Sequence, residues 1–193
     1  MIKQRNLFEP RKNLGHFKAP AGNSKTQADV LLKKAIELSE AMSKTSATRA
    51  QSRMFYETIY RPALTYILPQ SFLTSKQVQT IEKKSMPAIY AKCGYNRTTS
   101  RAVLQGPKHL GGAGFTPLEA EAGCGKVLHF LKGWRCKEEV VAKQLRVVVA
   151  WTQYQSGYSF PLLQFPDIKA PHVESRFIPL VRQYLSEIGG NII

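Results

Sequence analysis

From Thr26 onward the apolar positions Ala28, Leu31, Leu32, Ala35, Leu38 and Met42 recur three and four residues apart, the spacing of one helical face. Thr26 stands before them as a cap, with Asp29 three residues later. A second helical segment runs from about Thr48 to Leu68 on Met54, Phe55, Ile59, Ala63, Leu64 and Ile67. Pro62 removes a backbone donor from it and predicts a kink. A third opens on a Thr74/Gln77 capping box, carries Val78, Ile81, Ala88 and Ile89, is interrupted by Pro87 and ends at Gly94. Pro117 to about Gly133 reads as a helix on Leu118, Ala122, Val127, Leu128 and Leu131. In Glu138 to Tyr154 the run Val147-Val148-Val149 favours a strand, whereas Leu145, Val148, Ala150, Trp151 and Tyr154 fit a buried helix, the reading adopted here. Phe177, Ile178, Leu180, Val181, Tyr184, Leu185 and Ile188 form the cleanest amphipathic stripe.

The pattern predicts an all-α fold, an irregular array of about six helices, some kinked at proline, behind a loose basic arm. Residues 1–25 are that arm, broken by Pro10, Gly15, Pro20 and Gly22, with one short strand near Leu14 to Phe17. Residues 26–95 and 96–160 make two helical parts. Residues 161–193 hold a Pro-rich linker and the last amphipathic helix.

Composition changes the picture in one respect. Of 193 residues, 28 are Lys or Arg and 13 Asp or Glu, a net charge of +15 that favours polyanionic partners, nucleic acid first among them. Three cysteines without close pairing argue against a disulfide framework. No run approaches the roughly 18 apolar residues of a membrane span, and the start lacks a signal-peptide core. The expected setting is intracellular, nuclear or cytoplasmic, neither secreted nor membrane-bound.

The sharpest chemical candidate is the loop GPKHLGGAGFTPL, Gly106 to Leu118. A phosphate loop needs G-x-x-x-x-G-K-[ST], but Gly125-Lys126 is followed by Val127 and preceded at the required place by Ala120. A dinucleotide site needs a strand before the glycines, and none is predicted. Thr116, Pro117 and Glu119 supply a helix cap of their own, and Glu119 and Glu121 oppose an anion there. The glycines therefore read as a turn requiring positive φ or close backbone approach. Cys124, His129 and Cys136 are spaced C-x4-H-x6-C, which does not make a tetrahedral zinc set. The only aspartates, Asp29 and Asp167, are far apart, so two-metal catalysis by this chain is not expected. No catalytic residue, metal or cofactor is assigned.

The basic residues carry more pattern. Between Glu82 and Glu119 there is no acid, while Lys83, Lys84, Lys92, Arg97, Arg101 and Lys108 fall in that gap beside Tyr90, Tyr95 and His109. Such a segment can neutralise phosphates while aromatics stack or pack. Arg49 and Arg53 add a smaller face at helical spacing in a second acid-free stretch. The candidate nucleic-acid-binding set is Arg49, Arg53, Lys84, Lys92, Arg97, Arg101 and Lys108.

Several runs carry a resemblance: Asn13-Leu14-Gly15, Arg53, Tyr56, Pro62, Tyr66, Leu68, Pro69, Gln153, Pro161-Leu162-Leu163, and above all GYNRTTSRAVLQGPKHLGGAGF from Gly94 to Phe115. From about Lys12 to Leu163 the chain resembles the region after the polymerase palm in reverse transcriptases of non-LTR retrotransposons. The resemblance implies a thumb and helical connection that hold template and primer, an RNA-directed DNA polymerase fragment whose Y-x-D-D palm would lie upstream of Met1. Its implied partners are an RNA or DNA template-primer and a separate polymerase palm. The chain departs from that family at His16, where an apolar residue is usual, and at Ala113 and Ala122. The strand around Leu14 and Gly15 would pair with the palm, so without it the arm is expected to be poorly ordered and some helices to expose apolar surface. Alternative readings are a helical interaction or scaffold protein and a decayed element copy without activity.

Overall fold

A computed structural model describes residues 7, 9–13, 16–19, 22–170, 172–173 and 177–192. The fold is all-α apart from one small hairpin, and it divides into two compact units, Met1–Ala122 and Gly123–Ile193.

In the first unit, strands β1 (Arg11–Asn13) and β2 (His16–Lys18) pair antiparallel, with Arg11 opposite Lys18 and Asn13 opposite His16. The expected single strand near Leu14 is thus a hairpin, and Leu14 and Gly15 lie outside the described residues. The expected looseness does not extend to β2. The Phe17 N–H donates to Gln27 Oε1 at 2.6 Å, and His16 is buried. Helix α1 (Lys25–Lys44) starts one residue before the expected Thr26 cap, because Ala28 N–H already donates to the Ser24 carbonyl. Its buried face includes Ala28, Leu31, Ala35 and Met42, as the spacing predicts.

The segment expected over 48–68 is helical but not uniform. Helix α2 (Arg49–Phe55) is closed by a Thr48/Gln51 capping box, Tyr56–Tyr60 form one π-helical turn, and α3 (Arg61–Thr65) resumes with Pro62 in its first turn. The irregularity therefore sits just before the proline, where the missing N–H and the ring would disturb an unbroken α ladder. It turns both Tyr56 and Tyr60 into the core. Helix α4 (Ser75–Lys92) has the predicted Thr74/Gln77 box, runs through Pro87 without ending, and stops at Gly94, whose φ is +88°. Short α5 (Arg101–Gln105) follows, then α6 (Leu118–Trp134). The first core gathers Leu31, Tyr60, Leu64, Ile81, Ile89 and Phe115, among others.

The second unit holds the C-terminal part of α6, α7 (Glu139–Ser156) and α8 (Phe177–Glu187) around Phe130, Leu163, Ile178, Val181 and Leu185. Glycine is required at 123, where a Cβ would fall 2.0 Å from the Tyr184 ring. Residues 161–170, expected as a linker, are anchored. Gln153 Nε2 donates to the carbonyls of Tyr158 and Phe160, its Oε1 accepts from Leu162 N–H, and the buried Arg182 donates to the carbonyls of Phe165 and Ile168. Helix α7 is a helix as read, but of the residues expected on its buried face only Leu145 packs inward. Its inner side is Ala142, Leu145, Val149, Thr152 and Ser156, whereas Val147, Trp151 and Tyr154 point outward. Small inner residues allow close packing, and the large apolar ones are left on the outside as exposed surface.

Candidate nucleic-acid interface

The glycine loop is the frame on which this region is built. After α5 the chain folds back on it, with Ala113 N–H donating to Val103 carbonyl at 2.7 Å, Gly114 to Gly106 at 2.9 Å and Phe115 to Leu104 at 2.9 Å. Gly111 takes φ +82° and Gly114 φ +67°. At Gly112 a Cβ would meet the Gly106 carbonyl oxygen at 2.1 Å, so the two backbones touch. Both reasons anticipated for these glycines, left-handed φ and close approach, are present.

Phe115, the end of that fold-back, is 1% exposed and carries Tyr90 and Tyr95 edge-on at centroid distances of 4.8 and 5.8 Å. These tyrosines form one wall of a cleft of about 440 Å³, within the range of small-ligand pockets. Lys83, Arg97 and Arg101 line it as well, the first from α4, the second from the turn after Gly94 and the third from the start of α5. Asn96 shapes that turn, its Oδ1 accepting from Arg97 N–H and its carbonyl from Thr99 N–H. On α4 the cleft-facing positions 83, 86, 87 and 90 share one helical face, whereas the predicted Lys84 is turned about 100° away from Lys83 and does not line it.

One acid lines the cleft. Glu82 accepts from Leu118 N–H at 3.2 Å and from Gln105 Nε2 at 3.2 Å. It thereby occupies the start of α6, the place where sequence reasoning put a Thr116 cap; Thr116 instead exchanges backbone hydrogen bonds with the Tyr56 hydroxyl. Burial raises the Glu82 carboxyl above the usual range, opposed by the Leu118 amide and the charge of Arg101. Burial likewise raises the Tyr90 phenol, which stays a neutral ring near neutral pH.

The remaining candidates are engaged elsewhere. Arg53 donates from Nη1 to the Ala113 carbonyl at 2.8 Å, from Nη2 to Gly114 at 2.7 Å and from Nε to Glu57 at 2.7 Å, with its guanidinium 4.2 Å from the Phe115 centroid. It clamps the loop. Arg49 lies over Gly94, where a Cβ would come within 2.6 Å of its Nε. Lys92 Nζ donates to the Thr45 carbonyl at 2.6 Å. Lys108 is exposed, 3.5 Å from Glu57. The two basic faces of the sequence therefore meet, but through bonds that join α2 and the 45–49 turn to the end of α4 and to the loop. Lys83, Tyr90 and Tyr95 complete the cleft; the acid-free gap contained all three, and only the α4 helical phase separates Lys83 from Lys84.

Among the described residues, no group of three or more His, Cys, Asp or Glu could hold a metal ion, and no helix is long and apolar enough to cross a membrane. Comparison with models of protein families, with curated proteins and with solved structures finds no match.

Proposed function

We propose that the chain is a non-catalytic nucleic-acid-binding module, a thumb and connection region of a retrotransposon reverse transcriptase that holds template and primer for a palm. The observation that carries this reading is the cleft in which Lys83, Arg97 and Arg101 surround the walls formed by Tyr90 and Tyr95. Its chemistry suits a phosphodiester backbone: cations and aromatic rings line one cleft, and burial raises the pKa of its one carboxyl. The resemblance of Gly94 to Phe115 to such polymerases supports it from the sequence side, since that run supplies Tyr95, Arg97, Arg101 and Phe115.

Fluorescence anisotropy with a labelled RNA–DNA primer-template, over a series of salt concentrations, tests the reading. Affinity falls steeply with salt, and the double reversal R97E/R101E lowers the log-log slope by about 2, one phosphate contact for each cation. K84E has a smaller effect, because Lys84 is off the cleft. E82Q tightens binding severalfold while its amide still accepts from Leu118. Unchanged affinity in R97E/R101E rejects the cleft as the binding surface.

One observation favours the interaction-protein reading instead: Val140, Val147, Trp151 and Tyr154 present apolar surface along one side of α7, with exposures from 57% to 78%. Weak, salt-insensitive nucleic-acid binding alongside a stable complex with a polymerase palm selects that alternative.

A further inference from the structure

A second, smaller cavity lies at the head of α1, about 150 Å³ in volume and separate in its lining from the cleft. Its wall is made by His16 and Lys18 of β2, by Gly22, Asn23 and Ser24 leading into the helix, and by Gln27 in its first turn. His16 is 6% exposed and Gln27 1% exposed. Among the described residues, both ring nitrogens of His16 and Nε2 of Gln27 are buried without a hydrogen-bond partner. Orphaned buried polar atoms cost stability unless something fills them, so three in one cavity point to an occupant.

The chemistry of the wall specifies what that occupant is. The Gln27 amide is oriented unambiguously, because Oε1 accepts from Phe17 N–H and Nε2 is left as a donor. Ser24 makes no side-chain cap bond and the first turn of α1 contains no acid. Asn23 Oδ1 takes the Lys25 amide at 2.9 Å, which leaves the amides of Thr26 and Gln27 as first-turn donors without an intrahelical acceptor. Ser24 and Gln27 place the start of this 20-residue helix, its positive end, beside the cavity. His16 offers an N–H in either tautomer, Lys18 adds a positive charge, and no carboxylate lines the wall. Phe17, Ala19 and Phe72 close the rest of the wall with apolar surface, so the few polar groups turned to the pocket are donors. The volume is ample for a five-heavy-atom tetrahedral oxyanion.

We propose that this pocket binds a phosphoryl group, either free phosphate or the terminal phosphate of a nucleotide or oligonucleotide. The proposal is independent of the cleft, and the residues that carry it are His16, Lys18, Ser24 and Gln27.

The test is a titration of the full chain with inorganic phosphate at constant ionic strength maintained with chloride, followed by ¹⁵N spectra of the Gln27 side-chain amide and the Thr26 and Gln27 backbone amides. Saturable shifts of these signals are expected, with slower hydrogen exchange at the amides of α1. S24D places a carboxylate at the helix start, where it favours the helix and repels the ligand; it weakens phosphate at least tenfold without speeding hydrogen exchange in α1. K18E, on an exposed side chain, weakens it as well. An oligonucleotide with a 5′-phosphate that shifts Gln27 more strongly than its 5′-hydroxyl counterpart identifies the terminal group as the source, and phosphate alone doing so identifies the free anion. R97E/R101E leaves these responses intact, so failure of the cleft and failure of this pocket are read separately. Absence of saturable Gln27 shifts in the wild type, or S24D and K18E binding phosphate as the wild type does, overturns the proposal.

Discussion

Arg53 separates two accounts of the same residue. Read as a surface cation, it contacts phosphate and its loss weakens binding while leaving stability within about 0.5 kcal/mol. The structure makes it a clamp, and the cost of R53M follows from its contacts. Two hydrogen bonds from a charged donor to the carbonyls of Ala113 and Gly114 disappear, each worth about 1.5–3 kcal/mol, and the Ala113 carbonyl belongs to a residue that is 6% exposed. The guanidinium over Phe115 adds about 0.5–2 kcal/mol. These contacts share one side chain and do not sum, so a loss of about 3 kcal/mol is expected. Methionine retains much of the aliphatic stem, which confines the loss to the polar head.

The chain has two units, so a global unfolding curve is the wrong measure. Native-state hydrogen exchange at the amides of Ala113, Gly114 and Phe115 reports the loop directly, since each of them donates to α5 or its end. In R53M their protection falls by about two powers of ten, the equivalent of ~3 kcal/mol, while amides in α7 and α8 are unchanged. R53K recovers only part, because one ammonium cannot reproduce the planar fork that spans two carbonyls. The effect persists in high salt, as the acceptors are neutral carbonyls. Protection in R53M equal to wild type refutes the clamp and returns Arg53 to the surface-cation account.

Two neighbouring glycines should behave differently for separate reasons. G111A costs about 1–2 kcal/mol, since only its left-handed φ is at stake and nothing lies within 4 Å of its Cβ, whereas G112A costs more, because backbone atoms of Gly106 cannot rotate away; the same exchange measurement ranks them. Lys126 in α6 is 4% exposed and burial pulls its pKa down to about 8. A base whose folded pKa lies below its unfolded value makes the unfolded chain the better proton acceptor, so stability of the Gly123–Ile193 unit is greatest above pH 10.5 and is lost as pH falls through about 8. The full effect is at most about 3 kcal/mol, and exchange in α8 at pH 7 and pH 9.5, compared with K126M, reads it.

The helices were legible because each buries one regular stripe and most begin or end on local chemistry. Thr74/Gln77 and Gly94 behave as their types predict, since a capping box and a left-handed glycine need nothing from distant chain. Helix starts that borrow from elsewhere were not. The acceptor for Leu118 N–H comes from Glu82, 36 residues earlier, and no local pattern around Thr116 reveals it. Helix α7 shows a different limit. Its apolar residues circle much of the helix, so periodicity identifies a helix without saying which side is inner; residue size decided that, with Ala142, Thr152 and Ser156 permitting close contact and Trp151 and Tyr154 left outside.

The site shows the same division between what is local and what is not. Charge distribution located the region, because an acid-free run of 36 residues is visible without any fold, but it could not sort the cations inside it. Sorting requires knowing which carbonyls end up exposed to them. Arg53 reaches residues 60 positions away and Lys92 one 47 positions away, whereas Arg97 lies in the turn after Gly94 and Arg101 at the start of α5, and among the described residues neither side chain bonds a distant carbonyl. A cation that satisfies a buried carbonyl stabilises the loop, and only one without that duty is at liberty to exchange its counterion for a phosphate. The glycine loop and the basic run thus stand at different levels: Gly112 and Arg53 hold the loop that ends in Phe115, Phe115 packs edge-on against Tyr90 and Tyr95, and the cations of the proposed cleft lie beyond those rings. Substitutions in the first group should therefore alter binding only through loss of order, and those at Arg97 and Arg101 should alter it with the exchange pattern unchanged.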